Sequence, residues 1–113
     1  MNAVYPRLGI SRERLEAFCR DWDIIEFALF GSVVREDFKP ESDIDVMVEF
    51  SRDAKWGLWD LVRLQRNLEE LLHRNVDVVE KGTIRNPYRK KSIHRDLTVV
   101  YPPGEQDVKQ KGP

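Results

Sequence analysis

Two aspartates stand one residue apart in Asp43-Ile44-Asp45-Val46-Met47-Val48-Glu49-Phe50. Acids are depleted in strands, yet this segment alternates with period two. Asp43, Asp45, Met47 and Glu49 fall on one face; Ile44, Val46, Val48 and Phe50 fall on the other. At a rise of ~3.3 Å per residue the two carboxylates lie within about 7 Å of each other. Ionised carboxylates that close repel, and a hard divalent cation such as Mg²⁺, which takes oxygen ligands, offsets the repulsion. The plain alternative is a solvent-facing edge carrying two acids, but Val46, Val48 and Phe50 mark a strand docked on a core. A third acid, Asp77, interrupts the short apolar run Val76-Asp77-Val78-Val79. If its strand neighbours the first, the carboxylates can meet; taken alone, Asp77 reads as a surface residue of a half-exposed strand. Upstream, Gly31-Ser32 closes the apolar run Phe27-Ala28-Leu29-Phe30. Glycine lets a backbone approach a ligand closely, and a helix starting at Ser32 would aim free N–H groups and the hydroxyl at an anion such as phosphate. Alone, such a pair is usually just a turn. Arg35, three residues on, would share a helix face with Ser32 and could grip a triphosphate as a two-pronged fork. Its competing partners are Glu36, Asp37 and Glu41.

The elements that must position these residues follow from periodicity and breakers. Ser11 can cap a helix running to about Asp21, with Leu15, Phe18, Cys19 and Trp22 on one face. Cys19 on that face reads as a small core residue. Ile24 to Phe30 is apolar on both faces, as in a strand inside a sheet. Residues 32–36 can make one helical turn, and Lys39-Pro40-Glu41-Ser42 a bend, because Pro40 disfavours helix at Lys39. After the Asp43–Phe50 strand and a polar loop over 51–57, Leu58 to Arg74 is the clearest helix. Leu58, Leu61, Val62, Leu68, Leu71 and Leu72 are expected along its apolar side. Val76–Val79 reads as a strand, Asn86-Pro87 as the start of a helix over roughly 87–95, and Leu97–Tyr101 as a last strand. The order helix, strand, short helix, strand, long helix, strand, helix, strand predicts a single α/β or α+β domain, with a small mixed sheet packed with helices. It would span residues 1–104, with residues 105–113 a disordered tail.

Other residues carry weaker signals. Trp56 and Trp59 flank the start of the long helix and are expected in the core; exposed, they would mark a partner interface. Arg85, Arg89, Lys90, Lys91 and Arg95 make a basic segment, either a solvated helix face or a docking surface for an acidic partner or a triphosphate. His73 and His94 have no metal-ligand spacing and read as ordinary helix residues.

Composition limits the function classes. The chain has 113 residues, 41% of them apolar, with 19 Lys and Arg against 20 Asp and Glu. That is enough for one core and is unlike a disordered chain. The near-neutral balance argues against a dedicated nucleic-acid binder. No apolar run approaches a membrane span, the first residues lack the apolar stretch of a signal peptide, and a single cysteine builds neither an internal disulfide nor a thiolate zinc site. A cytoplasmic domain is expected.

Together the residues read G-S-x(10)-D-x-D followed by a later strand Asp. This pattern resembles the nucleotidyltransferase fold of the DNA polymerase β superfamily. In detail it is similar to the minimal nucleotidyltransferases (MNT), antitoxins of HEPN/MNT toxin–antitoxin pairs. The matching stretches are Leu29-Phe30-Gly31-Ser32-Val33-Val34-Arg35, Ser42-Asp43-Ile44-Asp45-Val46 and Val76-Asp77-Val78-Val79; Glu36 stands where many members carry glycine. The resemblance implies transfer of a nucleoside monophosphate from a nucleoside triphosphate, with two Mg²⁺ ions as cofactor and ATP as the nucleotide. It implies that Asp43 and Asp45 hold both ions and that Asp77 holds the one activating the incoming hydroxyl. Gly31, Ser32 and Arg35 would bind the phosphates. The implied acceptor is a hydroxyl of a HEPN-type toxin, such as a tyrosine, with neither membrane nor direct nucleic-acid contact. Two other readings stay open. The chain could mask the toxin without catalysis, or it could modify a small molecule such as an antibiotic, although it lacks a substrate domain.

Overall fold

The computed structural model describes residues 4–83, 91, 93 and 95–102. The elements are α1 (Val4–Leu8), α2 (Arg12–Asp21), β1 (Ile24–Phe30), a 3₁₀ turn (Gly31–Val34), β2 (Ile44–Phe50), α3 (Leu58–Leu72), β3 (Val76–Glu80) and β4 (Thr98–Tyr101). The strands form one mixed sheet in the order β3-β2-β1-β4. β1 is antiparallel to β2 and β4, and β2 is parallel to β3 through the α3 crossover. The expected small mixed sheet with helices is therefore what the chain forms. α1 has no counterpart in the sequence pattern, and the expectations for Arg85, Asn86, Pro87, Arg89, Lys90 and His94 and for residues 105–113 lie outside the described residues. Residues 91, 93, 95 and 96 are helical, within or beside the expected helix.

Local chemistry accounts for the helix limits. The Ser11 hydroxyl accepts from the Arg14 N–H at 3.1 Å and caps α2. At α3 the Asp60 carboxylate reaches back to the Gly57 N–H at 2.8 Å. That backbone bond is the main reason its pKa lies below the usual carboxylate range. α3 stops at Leu72, before the expected Arg74, because His73 turns left-handed at φ 58° while its N–H still bonds Glu69 O.

The sheet separates two apolar layers. One face presents Phe27, Leu29, Ile44, Val46, Val48 and Val76 to Leu15, Phe18, Cys19, Leu64, Leu68 and Leu72 of α2 and α3. Burial pushes the Cys19 thiol up to about 12, so it stays a thiol and serves as core filling. The other face, which bears the acids of β2, is not open throughout: Phe30 and Met47 are buried there with Ile93. At the foot of that face Glu26 sits opposite Glu49, and Lys81 bonds Glu26 at 2.8 Å and lies 3.5 Å from Glu49.

The apolar side of α3 differs from the expected one. The buried stripe is Leu64, Leu68 and Leu72, while Leu58 and Val62 are exposed. At 100° per residue Val62 lies ~120° around the helix from Leu68, on the far side from the sheet. The tryptophans also part company. Trp56 packs on Trp22 with ring centroids 5.0 Å apart and planes tilted by 53°, and donates its indole N–H to Trp22 O at 2.8 Å. Trp59 is 79% exposed, so it is not the core residue expected. Among the described residues no helix is long and apolar enough to cross a membrane.

Candidate active site

The parallel register sets Asp45 of β2 directly beside Asp77 of β3. Paired residues of adjacent strands point to the same side, so both acids lie on one face, about one strand spacing (~4.8 Å) apart. β3 ends the sheet order, and Asp77 is exposed there while Asp45 is half-buried. The same sheet end carries the glycine–serine turn, because Phe30, the last residue of β1, pairs with Asp45.

Gly31 has φ +77°, a left-handed conformation that favours glycine. A Cβ built there would overlap the Asp45 carboxylate, with Oδ2 nearest and Cγ at 3.1 Å. The carboxylate thus lies directly against the Gly31 backbone. Ser32 follows in the first turn of the 3₁₀ helix and is half-buried; Val33 beside it is 1% exposed and pins the turn to the core.

The turn is shorter than the expected 32–36. It spans Gly31–Val34, and Arg35 is already extended at φ −116°, ψ 175°. Arg35 therefore does not share a helix face with Ser32. Its guanidinium donates through Nε to Asp37 at 3.2 Å and through Nη1 to Asp96 at 2.7 Å. These bonds hold the Arg35 pKa above its ordinary value and that of Asp37 below. Asp37 was one of the three competing partners legible in the sequence. Asp96, 61 positions away, was not.

Asp43 is exposed and sits immediately before β2, whose first N–H, at Ile44, bonds Asn75 O at 3.0 Å ahead of β3. Beside it a cleft of about 650 Å³ opens between Pro40–Ser42 and the end of α3 at Glu70, His73 and Arg74. Three residues around this end had no counterpart in the sequence reading. Arg74 donates through Nη1 to Ser42 O at 2.8 Å and to Lys39 O at 3.2 Å, and its Cζ lies 4.4 Å from the centroid of the Phe38 ring. Arg7 of α1 donates to Val33 O at 2.8 Å and to Arg35 O at 2.5 Å, with Cζ 5.4 Å from the same ring. An aromatic residue inside the charged run 35–43 was their only trace in the sequence.

The donor set at this sheet end is carboxylate oxygen, which suits Mg²⁺. The glycine leaves Asp45 space that a Cβ would fill. Among the described residues, however, no three His, Cys, Asp or Glu side chains are gathered around a common point for a metal. The fold brings Asp45 and Asp77 together by register; Asp43 stands on the strand's approach, outside that pairing.

A family model described as a nucleotidyltransferase domain matches residues 11–109. A "putative protein adenylyltransferase" of Methanocaldococcus jannaschii is 37% identical over 100 residues, covering 88% of this chain and all of that protein. The protein adenylyltransferase MntA of Thermococcus cleftensis is 35% identical over 75 residues, 66% of this chain and 73% of that one. A solved complex of a tri-AMPylated HEPN toxin with its MNT antitoxin, from Shewanella oneidensis, matches with a TM-score of 0.59 at 18% identity. It covers 85% of this chain and 73% of the other, and at that identity the likeness concerns the fold.

Proposed function

Because this chain belongs to the nucleotidyltransferase domain family, we propose that it moves AMP from ATP, with Mg²⁺, onto a hydroxyl of a HEPN-type toxin and so acts as its antitoxin. The observation that carries this reading is the meeting of Asp45, Asp77 and the Gly31-Ser32 turn at one end of the sheet. The names of the relatives, protein adenylyltransferases, and the AMPylated toxin in the matching complex support the acceptor class.

Asp45 and Asp77, paired in register, and Asp43 on the approach to β2 would hold the metal, which when bound would neutralise triphosphate charge and make the attacking hydroxyl more acidic. The Gly31 and Ser32 backbone N–H groups and the Ser32 hydroxyl would bind the outer phosphates. The acceptor oxygen attacks the α-phosphorus, the bond from that phosphorus to the α,β-bridging oxygen breaks, and pyrophosphate leaves. Asp77 takes the hydroxyl proton. Its place on the end strand of the sheet order, exposed, suits an acceptor as large as a folded protein.

Incubating the chain with ATP, Mg²⁺ and the HEPN-type toxin proposed as its neighbouring gene product, followed by mass spectrometry of the toxin, tests the reading. An added AMP on a tyrosine is expected; an unmodified toxin that is nonetheless inhibited would replace transfer by masking. Within this scheme Ser32→Ala should leave the fold intact, since one half-buried hydroxyl adds little to the core. It should weaken ATP binding by about tenfold, the worth of a hydrogen bond to a charged group. Calorimetric titration with a non-hydrolysable ATP analogue measures the effect, and unchanged affinity would remove Ser32 from the phosphate grip.

A further inference from the structure

Residues 35–43 connect the Gly31–Val34 turn to β2 without a helix or strand of their own. Their described internal hydrogen bonds include a reciprocal pair, Lys39 N–H to Ser42 Oγ at 3.0 Å and Ser42 N–H to Lys39 O at 2.9 Å. Yet this loop sets where Asp43 stands relative to Ser32. A catalytic constellation must be held to about 0.5 Å by the groups behind it. A reciprocal pair in an exposed bend does not supply that.

Two arginines from outside the loop do. Arg7 comes from α1 and grips the near end, the carbonyls of Val33 and Arg35. Arg74 comes from the segment between α3 and β3 and grips the far end, the carbonyls of Lys39 and Ser42. Between the two ends lies Phe38, with both guanidinium carbons within 5.4 Å of its ring centroid. Guanidiniums bind aromatic faces while donating in their own plane. One side chain can therefore hold a ring and a carbonyl at once. Arg74 acts on the carbonyl of Ser42, the residue immediately before Asp43.

We infer that Arg74, acting with Phe38 and Arg7, is a positioning residue: it fixes Ser42 and thereby the Asp43 carboxylate relative to the Ser32 turn. The inference rests on the proposed nucleotidyl transfer for its catalytic consequence, but not for the brace itself. Arg74 touches neither nucleotide nor metal in this scheme. Lysine cannot replace it fully, because an ammonium has no planar face to lay on the Phe38 ring while it donates to the carbonyls.

The test uses Arg74→Ala, Arg74→Lys and Phe38→Leu in the full chain. Hydrogen exchange at the Ser42, Asp43 and Ile44 amides is expected to quicken in Arg74→Ala and Phe38→Leu, with the β1 amides unchanged. In the transfer assay kcat should fall by about ten- to a hundredfold, the cost of misplacing a reacting constellation by about an ångström, with KM for the toxin held. The Mg²⁺ concentration giving half-maximal rate should rise, and excess Mg²⁺ should restore part of the rate. Arg74→Lys should recover part of the loss. A purely structural role would not produce the shift in Mg²⁺ dependence. Wild-type exchange at residues 42–44 in both Arg74→Ala and Phe38→Leu overturns the brace, and a wild-type kcat and Mg²⁺ dependence overturn its catalytic consequence. If the unaltered chain transfers no nucleotide, the proposed function fails, while the exchange comparison still decides the brace.

Discussion

Asparagine at both Asp43 and Asp45 is expected to abolish nucleotide transfer while leaving a folded chain that still binds the proposed HEPN-type toxin. The exchange keeps side-chain size and removes two negative charges. Asp43 is exposed and Asp45 half-buried, and neither belongs to the apolar layers of the sheet. Neutral amides are poor substitutes for anionic oxygen around Mg²⁺. A bound metal supplies several kcal/mol of charge stabilisation, and each 1.4 kcal/mol is a factor of ten, so the loss should be about a thousandfold or more. Transfer by mass spectrometry, toxin binding by gel filtration and protection of cells from the toxin give three separate readouts. Loss of transfer and protection with binding retained supports the enzyme. Protection at the unaltered level without transfer would show that masking suffices.

The second large effect is expected at Gly31. Alanine there meets two penalties. The left-handed φ of +77° costs a non-glycine residue about 1–2 kcal/mol. The new methyl would also occupy the position of the Asp45 carboxylate, which must move. Moving the proposed metal ligand by about an ångström should lower kcat by about a hundredfold. Gly82 provides the control: its φ is +92°, but a Cβ there meets nothing within 4 Å. Gly82→Ala should share the stability loss and keep the activity. Denaturant unfolding and the transfer assay, run on both variants, separate strain from displacement; equal activity in the two would remove the Gly31–Asp45 contact from the mechanism.

Period and residue type made the two longest strands legible. Ile24–Phe30 could be placed in the sheet interior because it is apolar on both faces, and the alternation over Asp43–Phe50 marked the next strand, which the structure begins one residue later, at Ile44, leaving Asp43 just outside it. The pairing of Asp45 with Asp77 was legible only as a condition, since no local pattern fixes which strands become neighbours. Three features lay beyond the sequence for the same reason. The partner of Arg35 at Asp96, the reach of Arg7 and Arg74 into the 35–43 loop, and the burial of Met47 beneath Ile93 all join distant positions. Trp59 and Val62 were misplaced because counting apolar residues on α3 does not say which part of its circumference meets the sheet. The rotation is set by Leu64, Leu68 and Leu72, which are buried in the core cluster with the apolar side chains of the sheet.

The unequal fate of the three tryptophans makes the protein its own optical instrument. Trp22 and Trp56 are packed together against the core with their rings tilted 53° to each other, so their emission reports the integrity of the fold. Trp59 stands in solvent on the first turn of α3, the end of that helix remote from Asp45 and Asp77. A dissolved quencher such as iodide should therefore extinguish one component of the fluorescence in the native state and all three only after denaturation. Titrating the toxin while watching that accessible component would tell, without any label, whether the complex covers the far end of α3 or leaves it bathed in water.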